Sequence, residues 1–123
     1  MGKFVIRRGK AGFLFCLKAA NGEIIAVSSA YASEAACRKG IESVAHSAAE
    51  AAVEDQTVGK QAACPKFEVY LDRQGEFRFR LRARNGQIIA VSEGYAAKKN
   101  CLGGIESVRR NAPRADVFGE PQE

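Results

Sequence analysis

The chain contains one unit twice, and this repeat restricts its folding more than any other feature. Shifted by 64 positions, residues 13–44 align with residues 77–108 with 19 identities in 32 positions. The densest blocks are NGEIIAVS against NGQIIAVS, and GIESV at 40–44 against GIESV at 104–108. Upstream, Lys3-Phe4 matches Lys66-Phe67 at a shift of 63, so the first loop of the second copy is one residue longer. An added residue is cheap in a surface turn and costly in a packed strand, which puts the change in the loop. Any fold must therefore house the same supersecondary unit twice in 123 residues.

Each copy reads as three strands, a helix and a short fourth strand. Phe4 and Ile6, then Phe67, Val69 and Leu71, alternate with other residues as strand side chains do. Turns follow at 9–12 and 72–75. In the second strand Phe13, Phe15 and Leu17 alternate with Leu14, Cys16 and Lys18, and Phe77, Phe79 and Leu81 alternate with Arg78, Arg80 and Arg82. Period two sends the Phe/Phe/Leu set of each copy to the core face. Asn21-Gly22 and Asn85-Gly86 then sit between apolar runs and predict two-residue type I′ hairpin turns into third strands at 23–28 and 87–92.

Helices are predicted over 33–48 and 97–112. One face of the first carries Cys37, Ile41, Val44 and Ala48, mirrored by Cys101, Ile105, Val108 and Ala112. Ser33 suits an N-cap, whereas Ala97 has no side chain to cap with. Gly40 and Gly104 lie on this core stripe at a cost of about 1 kcal/mol each against Ala, so close approach of helix and sheet is expected in return. Pro113 stops the second helix. Segments 51–55 and 115–118 read as fourth strands, and 57–65 as a linker.

Units of about 60 residues are marginal alone, but joined in one chain they can share a sheet and cover each other's edges. The reading is one domain over 1–123 with a pseudo-two-fold axis: repeat one 3–56, linker 57–65, repeat two 66–119. A composition of 46% hydrophobic and 27% charged residues excludes a disordered tail or a fibre. No apolar run approaches the roughly 20 residues of a membrane helix. The charged start MGKFVIRRGK lacks the apolar stretch of a secretory signal, and Ile6 stands where myristoylation needs Ser or Thr. A cytoplasmic location without a membrane partner is expected. The net charge of +5 is shared as +2 and +3 between the halves, a weak argument for nucleic acid. Cysteines at 16, 37, 64 and 101 lack the close spacing of a zinc site and read as reduced thiols.

The combination F-x-F-x-L-K/R-A-x-N-G-x-I-I-A-V-S, then a tyrosine, then a helix carrying C-x-x-G-I-E-S-V, resembles the YegP-like proteins of bacteria. The resemblance runs through both copies, from Lys3 to about Gly119. It implies a β3-α-β unit, present in tandem or as a dimer of single units, joined in one antiparallel-type sheet with exchanged C-terminal strands. It carries over no catalytic residue. The first copy departs from the second at Ser29-Ala30, where Glu93-Gly94 precedes the tyrosine. The expected fold class is α+β: tandem β3-α-β repeats sharing one largely antiparallel sheet, with helices on one face and exchanged C-terminal strands.

Chemistry-bearing residues are few. His46, whose counterpart is Arg110, reads as a solvated helix residue. A cysteine–histidine nucleophile needs a thiol beside it, and Cys37 lies more than two turns away on the core stripe. Cys37 and Cys101 read as small buried side chains; Cys16, facing away from the helices, and Cys64, in the linker, read as the more reactive thiols. Glu42 and Glu106 read as solvated carboxylates. No phosphate-cradling glycine motif or calcium-type acidic cluster occurs, so no enzyme, cofactor or metal is expected. The most informative polar feature is Arg78, Arg80, Arg82 and Arg84, placed by alternation opposite Phe77, Phe79 and Leu81 at about 7 Å intervals. With Tyr70 on the same face they suit a phosphate backbone. In the competing reading these arginines pair across the sheet with acids such as Glu68, the first copy offering only Leu14, Cys16 and Lys18 there. The seven Phe point mostly to the core, which leaves little stacking surface. The expected role is a small, non-catalytic structural or interaction module with an unidentified protein partner, monomeric with internal pseudo-symmetry. The alternative is nucleic-acid or other polyanion binding through the 78–84 strand.

Overall fold

The alternation at 13–17 and 77–81 forms the second strand of each copy, and Phe15, Leu17, Phe79 and Leu81 are wholly buried. The computed structural model describes residues 2–59 and 61–119. The first copy contributes β1 (Lys3–Gly9), β2 (Gly12–Lys18), β3 (Ile24–Val27), α1 (Glu34–Glu50) and β4 (Ala52–Asp55). The second contributes β5 (Lys66–Leu71), β6 (Phe77–Arg82), β7 (Ile88–Val91), α2 (Lys98–Asn111), a 3-10 turn (Ala112–Arg114) and β8 (Asp116–Phe118).

These strands form one sheet in the order β4-β5-β6-β7-β3-β2-β1-β8. Within each copy the first three strands are antiparallel, and the copies meet where Val27 of β3 faces Val91 of β7. The outermost strands are parallel to their neighbours: β4 of the first copy lies beside β5, and β8 of the second beside β1. Each copy thus donates its last strand to the other, as the family resemblance implies. Both helices lie on one face, and the buried side chains of both halves form a single core. Equivalent edge-to-face ring pairs, Phe4–Phe15 at 5.7 Å and Phe67–Phe79 at 5.9 Å, anchor its two halves.

Three local readings change. The Asn-Gly turns are not type I′, because Asn21 and Asn85 do not adopt positive φ; only Gly22 (87°) and Gly86 (86°) do. Gly22 N–H bonds to the Ala19 carbonyl and Ala19 N–H to the Glu23 carbonyl, so the loop has three residues and ends in a glycine bulge. The asparagine side chain accepts from the backbone two residues on, at Glu23 (3.0 Å) and Gln87 (2.9 Å). Helix α1 continues to Glu50 because Ala49 stands where the second copy has Pro113, which instead opens the 3-10 turn. Ser33 caps α1 through its Oγ, and α2 lacks a side-chain cap, as their residue types require. The close approach at the helix glycines comes chiefly from tyrosine. A Cβ on Gly40 would collide with the Tyr31 hydroxyl, and one on Gly104 would come within 2.5 Å of that of Tyr95.

Candidate interaction face

Strand parity gives the sheet a second face, which the helices leave uncovered. On the second copy it carries Lys66, Glu68 and Tyr70 from β5 and Arg78, Arg80 and Arg82 from β6. Glu68, opposite Arg80 and only 3% exposed, accepts from Arg80 Nε at 2.5 Å and from Arg82 Nε at 2.8 Å. Lys66 Nζ lies 3.2 Å from the same carboxylate and 2.7 Å from Glu54 on β4. Arg78 donates to Asp72 at 2.8 Å and to the Ser92 carbonyl at 3.2 Å. The Arg80 guanidinium also stacks 4.5 Å above the Tyr70 ring.

The acids respond as paired groups do. Burial pushes the Glu68 carboxyl up, but hydrogen bonds from Arg80, Arg82 and Lys66 outweigh it and hold the group below its ordinary range. Lys66, then Gln56 and the Ala62 N–H, draw Glu54 down to about 2. The Arg78 hydrogen bond, joined by backbone N–H groups, lowers Asp72. Arg78, Arg80 and Arg82 are therefore bound to internal carboxylates, the arrangement expected of a self-neutralised strand face. Arg84 is not on this face. The strand ends at Arg82, Arg84 occupies the hairpin loop, and its guanidinium reaches Glu50 of α1 at 3.1 Å. The glycine-bulge loop breaks the alternation that would have carried it there.

The first-copy half differs at equivalent positions. Lys3, Val5 and Arg7 from β1 and Leu14, Cys16 and Lys18 from β2 occupy the uncovered face, with Lys3 directly opposite Lys18. Phe118 of β8 faces Val5, is 51% exposed, and carries the Lys3 ammonium 5.6 Å from its ring centre. Lys3 and Arg7 are legible from their alternation with Phe4 and Ile6. Phe118 is not, since only the strand exchange brings it there. Between the halves, exposed Ile24, Val27 and Ile88 line the seam.

The thiols and the histidine remain apart. Cys16 faces away from the helices, as its alternation requires, but it is buried between its longer cross-strand neighbours Val5 and Val27, which opposes the reactivity expected of it. Cys37 and Cys101 lie in the core, where burial pushes both thiols up, Cys101 to about 11. Cys64 is half-buried and His46 is exposed on α1. Glu42 is exposed, and Glu106 accepts from Arg109 at 3.0 Å. No group of three or more potential metal ligands is found among the described residues. Among them, too, no helix is long and apolar enough to cross a membrane.

Known proteins share this architecture. A domain of unknown function, DUF1508, matches the chain twice, at residues 10–55 and 72–118. The UPF0339 protein PA0329 of Pseudomonas aeruginosa is 38% identical over 119 residues, spanning 96% of each chain. A UPF0339 protein of Methanosarcina acetivorans is 65% identical over 53 residues, which cover 43% of this chain and 91% of that protein. Among solved structures, the solution structure of YegP from E. coli, described as of unknown function, superimposes with a TM-score of 0.77 at 33% identity. That match covers 96% of this chain and 91% of the other. Two domain matches and an end-to-end relative place the chain in the DUF1508 family, the UPF0339 proteins that include YegP, as a member with two tandem units.

Proposed function

We propose that this protein is a non-catalytic interaction module that engages a partner through the uncovered face of its sheet. The carrying observation is the one-sided cover: both helices pack on one face, leaving Ile24, Val27 and Ile88 38–39% exposed along the middle of the other. Grouped apolar side chains kept at a bare sheet surface mark a contact region. The dispersal of His46 and Cys64, and the raised pKa values of the core thiols, support a non-catalytic role. Four free thiols suit a reducing compartment such as the cytoplasm. The internal ion pairs of Arg78, Arg80 and Arg82 weigh against these arginines as the binding surface.

Site-specific photo-cross-linking in cells tests the face. A photoreactive residue at Val27 or Ile88 is expected to give discrete adducts, and the same residue at Lys39 or Arg110 on the helix side none. Adducts arising equally or only from the helix positions would contradict the proposal.

A further inference from the structure

The two halves of the uncovered face occupy equivalent places in the repeat but have opposite electrostatic solutions. In the second copy the β4 and β5 positions hold Glu54 and Glu68, and these carboxylates absorb Lys66, Arg80 and Arg82. In the first copy the corresponding positions on β8 and β1 hold Phe118 and Val5. The cations stay: Lys3 stands where Lys66 does, Lys18 where Arg82 does, and Arg7 is added two residues beyond Val5. Among the described residues no carboxylate lies within ion-pair distance of Lys3, Arg7 or Lys18. Among the same residues Asp116, beside Lys3 in register, forms no ion pair either. The Lys3 ammonium instead rests on the Phe118 ring.

Resting on the uncovered-face reading, we propose that this first-copy half binds single-stranded nucleic acid. Lys3, Arg7 and Lys18 contact phosphates, and Phe118 stacks a base. The charge decides the class of partner. Three cations with no carboxylate partner among the described residues suit an anionic ligand, and Lys3 and Arg7 lie about 13 Å apart along an extended strand, a spacing suited to an extended anion. The exposed ring among the cations favours a base-bearing polymer over a bare polyphosphate. A second copy of this chain fits poorly, because face-to-face docking would set Lys3, Arg7 and Lys18 either against the same three cations or against a half whose carboxylates are already paired.

The test is fluorescence anisotropy with labelled oligothymidylate and oligouridylate of roughly 12 nucleotides, within the span of known single-strand sites. With three phosphate contacts, raising salt from about 50 to about 150 mM is expected to weaken binding about tenfold. The combined variant Lys3→Gln, Arg7→Gln, Lys18→Gln should lose at least tenfold in affinity and most of the salt dependence. Phe118→Ala should lose about tenfold, with its thermal melt compared with that of the wild type to show that β8 remains docked. A charge-matched variant elsewhere, Lys39→Gln, Arg84→Gln, Lys99→Gln, should bind as the wild type does. Equal loss in that control, undiminished binding by Phe118→Ala, or competition by inorganic polyphosphate as strong as by the oligonucleotide would each overturn the assignment. So would a failure of the wild type to bind, or a dimer held by this face in sedimentation. In those cases cross-linking from Val27 and Ile88 still judges the broader reading on its own.

Discussion

Gly40 and Gly104 show how a residue that weakens an isolated helix can suit a packed one. In an open helix, replacing glycine by alanine stabilises by about 1 kcal/mol. Here a methyl group would enter the space of the Tyr31 or Tyr95 hydroxyl and crowd the ring of Phe15 or Phe79. Gly40→Ala is therefore expected to destabilise the protein by about 1–3 kcal/mol in urea unfolding, the usual cost of overpacking. Removing the hydroxyl with Tyr31→Phe should recover part of that loss, a non-additivity that identifies the contact. A stabilised Gly40→Ala protein would show that the tyrosine yields freely. The glycines' place on the core stripe is legible from helical periodicity. Their partner is not, because Tyr31 follows the third strand outside any regular alternation and reaches the helix only when its backbone bridges to Phe13.

The exchanged strand β4 is tied to its host by Glu54, which accepts from Lys66 of β5 and from the Ala62 N–H in the connection between the two strands. Its carboxyl sits at about 2 in the folded chain against an ordinary 4.5, so its contribution is complete above pH 4.5 and is lost as pH falls towards 2. The thermal midpoint is expected to drop through this window. Glu54→Gln should melt lower at neutral pH and show a shallower acid dependence, only partly flattened because Glu68 and Asp72 are also held low. An unchanged acid slope in that variant would remove Glu54 as the clip. The parity that placed Glu68 beside the β6 arginines can be read from the sequence. The same parity misplaced Arg84, because an Asn-Gly pair does not itself reveal whether the loop has two residues or three.

At the scale of the whole molecule, the exchange joins the copies more firmly than the linker does. Each half leaves its outer strand on the other half's sheet, and one core spans both. Chains 1–61 and 62–123, produced separately, are expected to pair or precipitate, as sedimentation would reveal; two stable soluble monomers would contradict a shared core. The repeated unit, its core stripes, its strand faces and the tandem arrangement were determined by the sequence alone, because periods of 2 and 3.6 residues and a fixed repeat are local properties of a chain. Only the tertiary structure decided which charges remain available. Whether a cation meets Glu54 or Phe118 depends on a donated strand arriving in a given register, and Lys3 and Asp116, neighbours in the sheet, stand at opposite ends of the chain. That register placed the carboxylates among the second copy's arginines and left Lys3, Arg7 and Lys18 of the first copy without them.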